Sequence, residues 1–409
     1  MLNKKLFLNM LEAKESVVEI KKNKLKQQLL KELYLNGPNT IIDLSKTLHS
    51  SPPSVNVLFI ELMQEGWLTE VGTGNSKSGR KPVLYGLNAG HGYILTWLIN
   101  KFDSTIILYN LKNEVCAKKK FKLQIENNTA YGTFILEKSI EFLKKEGFSA
   151  EKILGIGICM PGLIDKETGY NFSYPTSEGK AINILMSEYF NVPSYTLNDA
   201  KAIALGEKRF GLAHDYNNVL AINIDWGVGL GILIDGEVFN GTSGFTGELG
   251  HIQVRGAGEL CSCGKIGCLE TVATAQVLIK RVKEELQNGR VSKIVQLTKG
   301  DIESVNEDMI IAATHSGDEL CIDLLNEIGT ELGKALSIAV HLFNPELILV
   351  DGLLAKADKF ITIPIEQAIN KYCLSEFKTK LSVNTSQLDE SAGFLGTFSF
   401  VLEHLFDEV

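Results

Sequence analysis

Four residues in the second half of the chain could hold a metal ion. His251, Cys261, Cys263 and Cys268 lie in "GHIQVRGAGELCSCGKIGCLE" with the spacing H-x9-C-x-C-x4-C. Thiolates with one imidazole suit tetrahedral zinc, and four protein ligands leave no open position for water. The expected ion is Zn(2+) and its role structural. Gly264 and Gly267 give the loop the backbone freedom to bring three sulfurs together. Cysteines that were merely buried would not require so glycine-rich a loop. The other four, Cys116, Cys159, Cys321 and Cys373, are scattered in apolar contexts and read as core residues.

Two carboxylates flank this loop. Glu248 precedes His251 by three residues and Glu270 follows Cys268 by two. A stiffened loop would hold both acids and the imidazole in one place. Further upstream, "NDAKAIALGE" offers the pair Asn198 and Asp199. Carboxylates accept hydrogen bonds from hydroxyl pairs, which is how a polar, neutral ring is oriented in a site. Singly, Glu248 or Glu270 reads equally well as a solvated acid.

The elements that must position these groups alternate strand and helix. "YILTWLI" and "STIILYNL" read as strands, "TAYGTFILEKSIEFLKKEG" as a helix, and "KILGIGICM" as a buried strand entering "PGLID". A second series opens with "NVLAINI" and "VGLGILIDGEVF", continues through helices at about 271–287 and 318–343, and reaches the strand "ELILVDG". Repeated strand–helix units imply two α/β lobes with a cleft between them. The terminal helix "GFLGTFSFVLEHLF" is expected to return to the first lobe.

Ahead of this body the pattern is different. "NKLKQQLLKELYLNG" (23–37) places Leu25, Leu29, Leu30 and Leu33 at helical spacing. A second short helix follows Thr40 as its N-cap. A third follows Ser51, with prolines in its first turn, where a missing N–H costs little. "WLTEV" and "VLYGLN" then read as two strands joined by the basic loop "GTGNSKSGRKP". Three helices and a two-stranded wing make a winged helix-turn-helix. Ser54 and Asn56, near the start of the third helix, would face the DNA major groove, and Lys77, Arg80 and Lys81 on the wing would meet phosphates or the minor groove. The other reading is a small helical protein-interaction module. That third helix begins without Lys or Arg, so direct base readout is thin.

Charge is divided along the chain in the same way. Residues 1–90 carry 12 basic and 8 acidic residues, and the rest carry 29 and 41, so only the head is suited to a polyanion. No apolar run approaches the roughly 18 residues that would span a bilayer. Neither a signal peptide nor a secreted disulfide framework fits the sequence, and a cytoplasmic location without membrane insertion is expected.

Taken in order, "GIGICMPGLID", "NDAKAIALGE", "GFTGELGHIQV" and "CSCGKIGCLE" resemble the ROK family of bacterial repressors and sugar kinases. With a winged helix-turn-helix in front, the chain is similar to its repressor branch. The resemblance implies an α/β fold: an N-terminal winged helix-turn-helix over 1–88, followed by a two-lobed actin/hexokinase-like (ribonuclease H-like) body. Its first lobe would span 89–200, with the helix at 389–409 returning to it, and its second lobe 201–388. The resemblance also implies sugar contacts at Asn198, Asp199, Glu248, His251 and Glu270, and the structural zinc on His251, Cys261, Cys263 and Cys268.

In the kinases of the family the position of Asp199 is the general base, and glycine-rich turns hold ATP. Here residues 93–110 contain no glycine where the first such turn belongs. Trp226 replaces the usual threonine in "IDWGVGLG", although Gly227, Gly229 and Gly231 remain, and Asp351 stands where glycine is usual. All three departures fall on the nucleotide side. The expectation is a sugar-responsive DNA-binding regulator, not an enzyme, working as a dimer or tetramer on an inverted-repeat operator, with a sugar or sugar phosphate as effector. An active sugar kinase and a protein-binding scaffold are the alternatives. The segment 171–184, "NFSYPTSEGKAINI", lacks the Asn-x-x-Trp pattern of glucose-binding members and would cap the sugar as a loop.

Overall fold

The computed structural model describes residues 17–74, 81–126, 128–177 and 179–407. The chain divides into two compact units. One comprises residues 1–159, 174–196 and 397–409, and the other residues 160–173 and 197–396.

The first unit begins with the head, α1 (Val17–Asn36), α2 (Ile41–Thr47) and α3 (Pro52–Gln64), then strands β1 (Leu68–Thr73) and β2 (Val83–Leu87). Thr40 and Ser51 cap α2 and α3 through their side chains, as their positions in the sequence predict. The first helix starts earlier than its apolar spacing indicates. Among its added residues Val18 and Ile20 are exposed, so they add nothing to the buried stripe. Ion pairs tie the helix to α3 and its cap: Lys22 reaches Glu61 at 2.5 Å, and buried Lys26 reaches Glu61 at 2.9 Å and Glu65 at 2.7 Å. Burial opposes the charge on Lys26, yet Glu65 and Glu61 hold its pKa above the ordinary lysine value. Leu29, Leu30, Leu33, Leu44, Leu58 and Leu62 close the head's core. β1 and β2 pair antiparallel with a bulge between Glu70 and Gly72. At the exit from the head, the Trp67 and His91 rings lie 4.0 Å apart, and burial pushes His91 down to about 4.

Next come β3 (Tyr93–Ile99), β4 (Asp103–Asn110), β5 (Val115–Lys122), α4 (Tyr131–Lys145), β6 (Ile153–Met160), α5 (Ile182–Phe190) and β7 (Ser194–Asn198). They build a five-stranded sheet of order β5-β4-β3-β6-β7. β3 and β4 are antiparallel, while β3 and β6 are parallel. β6 is buried along its whole length, which explains its unbroken apolar sequence. Trp97 of β3, fully buried, donates its indole N–H to Ser139 of α4 at 2.9 Å.

The second unit repeats the plan. α6 (Asp199–Phe210) is followed by β8 (Val219–Ile224), β9 (Val228–Ile234), β10 (Glu237–Val238), α7 (Ala275–Gln287), α8 (Ile294–Leu297), α9 (Glu307–His315), α10 (Glu319–Phe343), β11 (Leu347–Asp351), α11 (Lys359–Tyr372) and β12 (Ser382–Thr385). α12 (Ser391–Asp407) begins in this unit and from Thr397 belongs to the first. The sheet order is β10-β9-β8-β11-β12, again antiparallel hairpins joined to parallel strands. The expected strand over "VGLGILIDGEVF" is in fact a hairpin, because Asp235 and Gly236 both take positive φ and turn the chain. Segment 171–184 is also not all loop, since α5 begins at Ile182.

Glycines set how closely α6 is held. A methyl on Gly231 of β9 would stand 2.2 Å from the Ala200 carbonyl oxygen, and one on Gly206 of α6 would stand 2.0 Å from the carbonyl of Ala392 at the start of α12. The latter half of α12 lies on a similar lane, where methyls on Gly155 and Gly157 of β6 would strike Val401 and Thr397. Backbone cannot yield as a flexible side chain can. Gly206→Ala is therefore expected to destabilise by about 1–3 kcal/mol or more, read as a lower denaturant midpoint at unchanged slope. Gly256→Ala, in open space, should leave the midpoint near wild type.

Candidate functional site

All five residues expected to contact sugar lie in the second unit, although the sequence boundary at 200 would part Asn198 and Asp199 from the rest. The close seat of α6 on β9 brings the pair across. Asn198 is the N-cap of α6: its side-chain oxygen accepts the Lys201 N–H at 3.3 Å, and its amide donates to the Gly162 carbonyl at 3.2 Å. Asp199 accepts the Ala200 N–H at 2.8 Å on one carboxylate oxygen and the Asn223 amide at 3.3 Å on the other. Burial raises the Asp199 pKa above the usual carboxylate value, against the pull of these hydrogen bonds, and the charge of Glu270 adds to the rise.

His251 closes a short 3-10 turn, Leu249–His251. Its Nε2 faces Glu248 at 3.9 Å, and its Nδ1 lies 3.9 Å from Glu270 and 3.6 Å from the Cys261 sulfur. Burial lifts Glu248 above its ordinary pKa; His251 opposes that, while Asp199 and Glu270 reinforce it. Glu270 is tied to β9 by the Val228 N–H, donated at 2.9 Å. A methyl on Gly227 would come within 2.7 Å of that same carboxylate. Asp199, Glu248, His251 and Glu270 thus form one acid-rich cluster.

The metal-binding expectation has a geometric basis. One ligand atom each from His251, Cys261, Cys263 and Cys268 falls within 4.8 Å of the others. The sulfurs of Cys263 and Cys268 are 3.7 Å apart, too far for a disulfide and close to the edge of a tetrahedron with zinc–sulfur bonds of about 2.3 Å. Gly264 and Gly267 both take positive φ, and a methyl on Gly267 would stand 2.0 Å from the Arg255 carbonyl. The donor set and loop therefore fit a tetrahedral ion.

Lys201 escaped the sequence reading. It is buried, donates from Nζ to the Gly244 carbonyl, and is pushed down to about 8 by burial, with Glu248 resisting and Lys166 assisting. A lysine among the alanines and isoleucine of "NDAKAIALGE", two residues after the helix start, was the available signal.

In the head, Ser54 and Asn56 are exposed at the start of α3, although the Ser54 hydroxyl is shared with Ser51 at 2.8 Å. Val57 and Ile60 are exposed beside them. Lys81 is exposed, whereas Lys77 and Arg80 lie outside the described residues.

A winged helix-turn-helix and two sheets of repeated ribonuclease H-like order, with a Cys/His loop beside an Asn-Asp pair, define a protein of the repressor and sugar-kinase class. The chain belongs to the ROK family, whose sequence profile matches residues 101–404. It is 29% identical over 367 residues to the DNA-binding transcriptional dual regulator NagC of Escherichia coli, covering 89% of each chain. The xylose repressor of Caldicellulosiruptor bescii is 30% identical, with 88% of this chain and 91% of that one covered. The crystal structure of a ROK family transcriptional regulator, a homologue of the E. coli Mlc protein, superposes with a TM-score of 0.80 at 29% identity, covering 94% of this chain and 97% of that one. A ROK glucokinase from Streptomyces griseus shares the fold at TM-score 0.67 and 23% identity, over 76% of this chain and 99% of its own. The repressor branch is thus the part of the family this chain matches. Among the described residues, no helix is long and apolar enough to cross a membrane.

An aspartate whose folded pKa is raised resists ionisation in the fold. It therefore favours folding least at pH values above its folded pKa, and this disadvantage disappears as the pH falls below about 4. Asp199→Asn removes the charge and keeps the shape. Its melting temperature should exceed wild type at pH 8, and the gap should shrink toward pH 4. A gap independent of pH would mean that burial of Asp199 carries no such penalty.

Proposed function

We propose that this chain is a sugar-responsive transcriptional regulator, a repressor that binds operator DNA through its head and releases it when a sugar occupies the cluster of Asn198, Asp199, Glu248, His251 and Glu270. The observation that carries the reading is the presence in one chain of a winged helix-turn-helix and a carboxylate cluster suited to hydroxyls. Relatives named as a DNA-binding transcriptional dual regulator and as a xylose repressor, matched over nearly the whole length, support it. The working domains are the head at 1–88, a first lobe over 89–200 with the helix at 389–409, and a second lobe over 201–388. Ser54 and Asn56 face bases, and Lys77, Arg80 and Lys81 meet phosphate. The protein acts in the cytoplasm as a dimer or tetramer, because an inverted-repeat operator presents two half-sites to two heads.

His251, Cys261, Cys263 and Cys268 would hold a structural zinc ion, which would supply a rigid node and no open coordination position. The chain's own residues do the recognition: Asp199, Glu248 and Glu270 accept sugar hydroxyls, while the Asn198 amide fixes the start of α6 against the Gly162 loop.

Kinase chemistry is not part of this reading. The nucleotide side lacks its first glycine turn, and Trp226 and Asp351 are bulky where the family is small. The three retained glycines have structural reasons of their own: methyls on Gly227, Gly229 and Gly231 would meet Glu270, the Ala200 methyl and the Ala200 carbonyl. Burial pushes Asp351 up to about 6, and a carboxylate there is a poor neighbour for phosphates. The competing reading, a sugar kinase with Asp199 as base, would require saturable, Asp199-dependent phosphorylation of a hexose by ATP.

Two outcomes are expected. Purified protein should carry about one zinc per chain, and Cys263→Ser should lose both zinc and sugar affinity, because the loop no longer places Glu270. Chelator-release absorbance and calorimetry measure the two; a metal-free variant that still binds sugar would remove the loop from the site. Secondly, the cognate sugar should weaken operator binding by about 5–150-fold, with operator weakening sugar binding by the same factor. Asp199→Ala should bind operator normally and ignore the sugar in a mobility-shift titration. If sugar tightens the operator complex, the sign of the switch is reversed.

A further inference from the structure

Two aromatic rings stand exposed on loops that hydrogen-bond to the start of α6. Phe172 is 58% exposed and Phe245 38% exposed, and their rings meet edge to face with centroids 5.8 Å apart. Tyr170, half-buried, also packs edge to face against Phe172, with centroids 5.1 Å apart. Isolated exposed apolar residues are common on any protein, whereas contiguous exposed apolar groups rimmed by polar ones mark binding grooves.

Their position ties them to the site. Phe172 lies between Asn171, whose amide donates to the Pro161 carbonyl at 2.9 Å, and Ser173, whose hydroxyl accepts the Leu163 N–H at 3.0 Å. The Gly162 carbonyl inside that loop accepts from Asn198. Phe245 follows Gly244, whose carbonyl accepts from Lys201, and precedes Glu248 by three residues. Both loops are therefore pinned to the first turn of α6, the turn that carries Asp199. The backbones of Gly162 and Gly244, with φ of 107° and 88°, hold conformations that disfavour side chains. The two rings are displayed by loops hydrogen-bonded to the first turn of α6.

On the sugar-sensor reading above, we propose that the effector is a glycoside of at least two rings: one ring is held by the carboxylate cluster, and the next stacks on a ring face in the corner formed by Phe172 and Phe245, whose planes stand nearly perpendicular at 88°. An aromatic face is electron-rich and apolar. The C–H face of a pyranose or furanose ring is its complement, weakly positive and without donors to satisfy. Carboxylates take the hydroxyl-rich anchor ring, and the aromatic corner takes a neighbour that presents C–H. A single sugar ring on the acids leaves the corner bare.

The test is calorimetry on the full chain with matched probes: glucose against cellobiose and maltose, xylose against xylobiose, and N-acetylglucosamine against chitobiose. At least one disaccharide should bind about tenfold more tightly than its own monosaccharide. The double variant Phe172→Ala/Phe245→Ala should erase that preference and leave the monosaccharide within about twofold of wild type. Phe172→Trp, which keeps a face, should retain the preference. Operator binding by each variant verifies folding. If monosaccharides bind as tightly as disaccharides, or the double variant keeps the preference, the two-ring proposal is overturned while the sensor reading stands. If none of these sugars binds a wild-type protein that still binds operator, both are overturned.

Discussion

The bare backbone of Gly227–Gly231 at the start of β9 is the constraint on which the site depends. On it lie the first residues of α6, with the Ala200 carbonyl against Gly231 and the Ala200 methyl against Gly229. At its end Glu270 takes the Val228 N–H, in space that any side chain at position 227 would invade. One short stretch of strand thus sets the separation between the Asn198–Asp199 helix start and the loop that ends in Glu270. Packing at this density does not adjust gradually, so a single added methyl displaces a functional group instead of being absorbed.

The cysteine loop then fixes what β9 alone cannot. Glu270 is anchored by one oxygen, and its other faces His251, whose Nδ1 is turned toward Cys261 and whose Nε2 is turned toward Glu248. The ring orientation is therefore shared between the sulfur cluster and the acids. Glu248 and Glu270 repel each other when both are charged, which adds to the rise in the Glu248 pKa that burial begins. The cysteine loop and the acid cluster share His251 and are mechanically one object.

The motifs that carry chemistry could be read from sequence because each depends on residue type at short spacing. The H-x9-C-x-C-x4-C loop converges in space as its spacing implies, and capping at Thr40 and Ser51 is equally local. What sequence could not supply was the reason for the retained glycines, since closeness of Gly231 to Ala200 is a long-range fact. It also missed β5, "VCAKKKFK", whose lysines mask the alternation of a strand. β5 is an edge of its sheet, where charge protects unpaired backbone from pairing with another chain. α5 was hidden in a segment read as a loop because its polar approach, "SYPTSEGK", looks like nothing else. The exposed aromatics Phe172 and Phe245 carry no signal in the sequence for a related reason: an exposed ring and a core ring have the same letter.

The ionisable groups of the site explain why such an arrangement can sense a neutral ligand. Asp199 and Glu248 are both held above their ordinary pKa by burial, and Lys201 is held below its own. Each group is thus short of the solvation its charged form would have in water. Sugar hydroxyls donate hydrogen bonds that carboxylates lack, and a bound ring supplies them in fixed positions where disordered water would have to be ordered. Hydrogen bonds to charged acceptors are worth more than neutral ones, about 1.5–3 kcal/mol each. A ligand with several correctly placed hydroxyls can therefore gain from the same burial that disfavours the empty site. The discrimination follows from the other side of that balance: a ring with one hydroxyl misplaced displaces water from a carboxylate without replacing its hydrogen bond, and the loss exceeds the value of the missing bond.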